Sequence, residues 1–284
     1  DSISANSPFN SLKLLNQSII EKKEFIFDES DNLKEIYYNL LIDEKLIEIK
    51  PKYDYLNDHQ EINEVMRATL IDWLIYIHNA CELKEETLYK TVHILDTYLS
   101  INNIAVSKLQ LCGIASLLIA CKFNEIRYPS LEKFVYFTDN AYKVKELIIM
   151  ENKILTTIKF NLLYPSSNEF YNIISKIFRF NKEEYFLGKY FLDTCLIDYK
   201  MIQYSNSYIA ISCVYIIMKY FNIEGYSNLF DKKYYLDKNY SSKLIKEIAK
   251  HMCNCLNYLS DSSFKSTKDK YSLEKYYSVA KKNL

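Results

Sequence analysis

Glycine and proline are scarce. Three glycines (Gly113, Gly188, Gly225) and four prolines in 284 residues supply too little turn chemistry for a many-stranded fold and suit long helices with short joints. An all-α chain is expected. Net charge is absent: 36 Lys+Arg balance 36 Asp+Glu, so no bulk basic field draws nucleic acid to the surface. Arginine is rare among the basic residues, occurring only at Arg67, Arg127 and Arg179. The longest apolar stretches, Leu109–Cys121 and Tyr208–Met218, fall short of the roughly 18 residues of a membrane span. With no signal-peptide pattern, a soluble protein of nucleus or cytoplasm, making no membrane contact, is expected. A start at Asp1 suggests an N-terminally shortened chain, so the lack of leader signals excludes little.

The usual marks of catalysis are absent as well. No GxGxxG or GxxxxGK loop offers a phosphate cradle, and His59, His78 and His93 have no adjacent nucleophile in a recognisable arrangement. His251, Cys253 and Cys255 are metal-ligand types, but helical spacing turns them to different faces, and buried thiols are the expectation. Seven cysteines are an odd count and sit mostly in apolar runs, which reads as free core thiols in a reducing compartment. No enzyme, cofactor or metal site is expected. Ser7-Pro8 fits proline-directed phosphorylation, as do many flexible termini.

What is present is amphipathic helix, most clearly over Met66–Ser100. Met66, Leu70, Trp73, Leu74 and Ile77 form one buried stripe, and Leu88, Val92, Leu95 and Leu99 another. Arg67 and Asp96 interrupt these stripes. Burying either charge alone costs several kcal/mol, so the two are expected to meet as a structural ion pair between packed helices.

The chain also repeats itself. A shift of about 97 residues lays Leu95-Asp96-Thr97 on Leu192-Asp193-Thr194, Ile114-Ala115 on Ile211-Ser212, and Lys122-Phe123 on Lys219-Tyr220. That period is too long for a solenoid and indicates two copies of a small helical domain. Helices are expected near 63–81, 85–100, 107–124, 129–138 and 143–159, then near 167–179, 182–198, 204–221, 228–238 and 241–259. Ser107 is the expected N-cap of the third, and Pro129-Ser130 starts the fourth. The apolar third helix, with its small residues Gly113, Ala115, Ser116 and Ala120, is expected to be a central rod. The divisions are 1–62, with a helix near 33–47; a first unit over 63–163; a second over 164–260; and a Lys/Ser/Tyr-rich tail over 261–284.

These residues resemble the cyclins. Met66–Trp73, MRATLIDW, is similar to the family's MRAILVDW, and LDTYLS to its IDRFLS; the likeness continues through Ala120–Ile126 and Phe160-Asn161-Leu162 into the tail. It covers about Asn32 to Leu284 and is nearest the A/B-type, mitotic group. The resemblance implies two tandem five-helix cyclin boxes. It further implies a chain that binds a cyclin-dependent kinase and activates it in cell-cycle control. A cyclin-fold transcription or scaffold adaptor is the alternative, against which charge neutrality and the lack of paired CxxC motifs speak.

Residue roles follow from the resemblance. By periodicity alone Glu151 is either an edge glutamate in water or an acid with a partner, and Lys122 a lysine favoured by a helix C-terminus. The family motif assigns both to kinase contact. Phe123 and Phe160, core or surface by pattern, match apolar kinase-contact positions. Met66, Leu70, Trp73, Leu109 and Gln110 match the hydrophobic patch that docks Arg-x-Leu-type motifs of substrates and inhibitors, whereas pattern alone makes Leu70 and Leu109 ordinary core. Thr69 and Tyr76 depart from the family there, and Asp72 and Asp139 are the acids expected to compensate.

Overall fold

A computed structural model describes residues 31–47, 49–223, 241–260 and 262–282. The described residues form helices, turns and connections, with no strand among them. Helix α1 spans Asp31–Leu46. The next five are α2 (Glu64–Ala80), α3 (Glu85–Ile101), α4 (Leu109–Asn124), α5 (Leu131–Phe137) and α6 (Val144–Thr157). Then come α7 (Ser167–Ile177), α8 (Lys182–Ile197), α9 (Asn206–Tyr220), α10 (Ser242–Ser260) and the short α11 (Ser266–Tyr271).

Side-chain caps set several of the starts. The Met66 amide donates to the Asn63 side chain at 3.0 Å to open α2, and Ser130 caps α5. Reciprocal capping boxes, Ser166 with Glu169 and Asn181 with Glu184, open α7 and α8 by answering amides a helix start leaves unpaired. Ser107 is not the cap of α4. It lies inside a 3-10 turn over Val106–Lys108, and its carbonyl accepts from the Tyr142 hydroxyl at 2.8 Å. The expected helix near 228–238 and Ser7-Pro8 lie outside the described residues.

Helix α4 is the rod of the first half: every residue from Leu111 to Cys121 is buried, beneath α2, α3 and α6. The turn and helix over Val106–Asn124 are long and apolar enough to cross a membrane, more than the Leu109–Cys121 run alone suggested. Here that apolar surface is spent on neighbouring helices. Helix α9 plays the same part in the second half, packed by α7, α8 and α10. The halves meet where α2 lies on α8 and α3 on α7. The tail is structured: α11 packs on α2 and α8, and two further 3-10 turns follow it.

The two glycines at close approaches differ. A Cβ on Gly113 would meet the flexible tip of Leu70 at 2.8 Å, whereas one on Gly188 would overlap the Tyr171 ring and hydroxyl, and that hydroxyl is held in place by donating to the Glu184 and Tyr185 carbonyls of α8.

Candidate functional site

Arg67 and Asp96 meet in the core. The guanidinium donates through Nε and Nη2 to the two Asp96 oxygens, both at 2.7 Å, and Tyr55 donates to Asp96 Oδ1 at 2.8 Å. Burial works against the guanidinium's charge, but Asp96 outweighs it and raises the Arg67 pKa. The remaining Arg67 nitrogen donates to the carbonyls of Leu196 and Ile197, each at 3.2 Å. The pair therefore braces more than α2 against α3. It also ties the first half to the end of α8, a reach that spacing within the first half could not reveal.

Asp193 is the corresponding residue of α8. It accepts from Tyr89 at 2.6 Å, from Lys270 at 2.8 Å and from Tyr271 at 2.8 Å. Burial pushes its carboxyl pKa up, yet Lys270 and then Lys189 pull harder and hold it down to about 2. Lys189, fully buried, is ion-paired to Glu85 at 2.9 Å. None of Tyr55, Tyr89 or Lys189 stood out in the sequence, and Lys270 did so only as part of the tail's likeness to the family, with nothing to mark it as the partner of Asp193.

Lys122 and Glu151 come together on the surface of the first half. The ammonium stands 2.6 Å from the carboxylate; the Lys122 side chain is 40% exposed and that of Glu151 8%. Helix α4 delivers Lys122 in its last turn, and α6 delivers Glu151 from its buried stripe. Phe123, next to Lys122, is 48% exposed, and Phe160 is 67% exposed. Phe160 follows the end of α6 with φ 56°, directly after Lys159 at φ 52°. Two consecutive left-handed non-glycine residues cost of order 1–3 kcal/mol each, and they leave the Phe160 ring on the surface.

Lys90 of α3 joins the two ends of this face. Its ammonium lies 4.5 Å from the centre of the Phe123 ring and donates to the Leu162 carbonyl at 2.6 Å. Phe123, Leu163, Glu86 and Glu169 then line a cleft of about 390 Å³ beneath α1. Glu86 accepts from Ser166 at 2.7 Å and from Asn168. Burial, with Glu169 beside it, raises its carboxyl pKa to about 7.

The patch residues lie on two packed helices. Met66, Leu70 and Trp73 come from α2 and Leu109 and Gln110 from the start of α4. Leu70 and Leu109 are buried, while Met66, Trp73 and Gln110 are half-buried. Thr69 is exposed and donates back to the Val65 carbonyl at 2.8 Å, and Tyr76 is 60% exposed. Asp72 is committed elsewhere: both its oxygens accept from Ser266 of the tail, at 3.0 and 2.9 Å. Asp139 stands exposed at φ 55° after α5.

His251 and Cys255 of α10 are not turned apart, contrary to expectation: four residues apart they share a face beside Asp198, and Cys253 alone lies off it. His251 is 2.8 Å from Asp198, and buried Cys255 points its thiol toward the Thr194 carbonyl. Among the described residues no group of three or more His, Cys, Asp or Glu side chains is placed to hold a metal ion. All seven cysteines are free, and burial raises the thiol pKa of Cys112 to about 12.

Two helical units, each built around one apolar rod and joined by charged contacts, define the tandem cyclin-box class. Residues 35–163 match the family model "Cyclin, N-terminal domain" and residues 165–283 match "Cyclin, C-terminal domain". The chain belongs to the cyclin family. It is 35% identical over 253 residues to the G2/mitotic-specific cyclin-B2 of Bos taurus and equally so to that of Homo sapiens, each alignment covering 88% of this chain and 62% of the relative. Cyclin-B2-3 of Arabidopsis thaliana is 37% identical over 172 residues, 61% of this chain and 40% of that protein. The chain thus spans 62% of the length of the two animal relatives and 40% of the plant one, less than two thirds in each case. A solved viral cyclin from herpesvirus saimiri shares the fold, with a TM-score of 0.65 at 20% identity, covering 78% of this chain and 97% of that one.

Proposed function

We propose that this cyclin is the regulatory subunit of a cyclin-dependent Ser/Thr protein kinase, which it binds and activates in cell-cycle control. The carrying observation is the Lys122–Glu151 pair, a part-exposed ammonium on a buried carboxylate, with exposed Phe123 next to it in sequence and exposed Phe160 following α6. An acid buried on a core stripe and aimed at one exposed ammonium forms a two-sign clamp for a partner's backbone and side chains. Flanking aromatic rings supply the apolar anchors on which interface energy concentrates. Truncating one side of such a pair at an interface costs about 2–5 kcal/mol of binding. On this reading the clamp presses the kinase helix that carries the active-site glutamate inward, completing the lysine–glutamate pair that aligns ATP phosphates, and opens the activation loop. The chain performs no catalysis itself and works in the nucleus, the cytoplasm or both.

The patch of Met66, Leu70, Trp73, Leu109 and Gln110 is proposed to dock substrates or inhibitors bearing an Arg-x-Leu-type motif. Leu70 and Leu109 form its floor, and Trp73, Met66 and Gln110 its reachable rim. With Asp72 engaged by the tail, the motif's arginine finds fewer acids than the sequence suggests, so weak docking is expected. The test mixes the chain with a cyclin-dependent kinase and measures co-elution and histone-type phosphorylation. A stable complex with raised activity is expected. Neither co-elution nor activation would overturn the reading.

A further inference from the structure

Helix α11 is six residues long, too short to persist by its own hydrogen bonds, so it is held by what it docks on. Lys265, immediately before it, makes no side-chain cap. The cap comes from the first box instead: the Ser266 amide and hydroxyl both donate to Asp72 of α2. One turn further, Lys270 and Tyr271 of the same helix reach the buried Asp193. Ser266 is thus the outer end of a latch whose inner end satisfies a buried charge. It is also the accessible end, being half-buried between exposed Lys265 and buried Thr267.

We propose that Ser266 is a phosphorylation site whose modification releases the tail from both boxes. The run Ser266-Thr267-Lys268-Asp269 places an acid three residues after the hydroxyl, a pattern suited to an acidophilic Ser/Thr kinase with ATP as donor. In the transfer, Ser266 Oγ attacks the γ-phosphorus of ATP while the modifying kinase's base takes the hydroxyl proton. The bond from that phosphorus to its bridging oxygen breaks, and ADP leaves. The proton that Asp72 accepted is gone, and a group carrying nearly two negative charges stands in its place. It faces the Asp72 carboxylate, on which Asp269 already exerts a like-charge effect. Lys265 and Lys268 are the cations of the same segment, but a marginal helix that loses its cap and gains repulsion opens first.

The test uses the full chain. It is incubated with an acidophilic kinase and Mg-ATP, the phosphate is mapped by mass spectrometry, and tail release is followed by tryptic cleavage after Lys270. Phosphate on Ser266 with about tenfold faster cleavage, as loss of a helix cap implies, is the expected result. Ser266→Ala keeps the amide donor and should stay protected and unmodified, Ser266→Glu should cleave faster, and Asp72→Lys combined with Ser266→Glu should regain protection. No phosphate on Ser266, or phosphoserine with cleavage unchanged or slower because the lysines hold it, overturns the proposal. The readout is the tail alone, so the outcome does not depend on kinase activation.

Discussion

Asp96 in α3 and Asp193 in α8 occupy the same place in the two copies of the box, and each is buried. Their partners come from different distances. Asp96 takes its cation from α2, 29 residues away, as a bidentate guanidinium. Asp193 takes its cation from the tail, 77 residues on, as a single ammonium helped by two tyrosines. Duplication preserved the acid but not the means of answering it. The first box closes its charge locally and lends its arginine to the second through the Leu196 and Ile197 carbonyls. The second box is incomplete until the tail docks, so the tail belongs to the fold.

The sharpest contrast is in removing each cation. Arg67→Met leaves Asp96 with Tyr55 alone and cuts the link to α8, and a loss of about 3–5 kcal/mol in urea unfolding is expected. Lys270→Met leaves Asp193 with Tyr89, Tyr271 and the field of Lys189, so a smaller loss of about 2–3 kcal/mol is expected, together with faster proteolysis of the tail. If Lys270→Met proves the more damaging, the ranking of the two nodes is reversed.

Much of this was legible and some was not. Helical periodicity and the 97-residue offset located every described helix except α11 to within a few residues, because a stripe of leucine and isoleucine has one reading when glycine and proline are scarce, whereas the six residues of α11 carry no such stripe. Arg67 and Asp96 were legible as a pair because both interrupt stripes within one hairpin. The offset laid Asp193 on Asp96, yet its answer lay in a tail whose lysines and tyrosines resemble solvated surface. Ser107 looked like a cap by residue type, but a 3-10 turn supplies the entry to α4 instead. Lys90 was hidden because one lysine bridging a ring and a carbonyl has no sequence pattern.

Acid separates the nodes further. Asp193 is held near 2 in the folded chain against 3.8 when unperturbed. A depressed carboxyl stabilises fully above its unfolded pKa, and that contribution drains away as pH falls through the folded value. About 2 kcal/mol should therefore disappear between about pH 4 and pH 2. The Lys270→Met chain should lose less over that interval when the two are compared by unfolding at stepped pH.

A smaller test contrasts the glycines. Gly188→Ala drives a methyl into the anchored Tyr171, whereas Gly113→Ala meets only the yielding tip of Leu70. Gly188→Ala should lower stability by at least about 1 kcal/mol more, read as the difference in melting temperature. Equal losses would show that the second box relaxes as readily as the first.

Under the proposed function the Lys122–Glu151 pair grips a kinase rather than merely bracing α4 to α6. The charge-swapped double variant Lys122→Glu/Glu151→Lys separates the two, since it keeps an ion pair between the helices but presents inverted charges to a partner. Kinase activation by the swapped chain should fall at least about 30-fold, consistent with the loss of about 2 kcal/mol or more of binding, while helical circular dichroism and melting stay close to those of the parent chain. Full activation by the swapped chain would contradict the account and leave the pair as a structural brace.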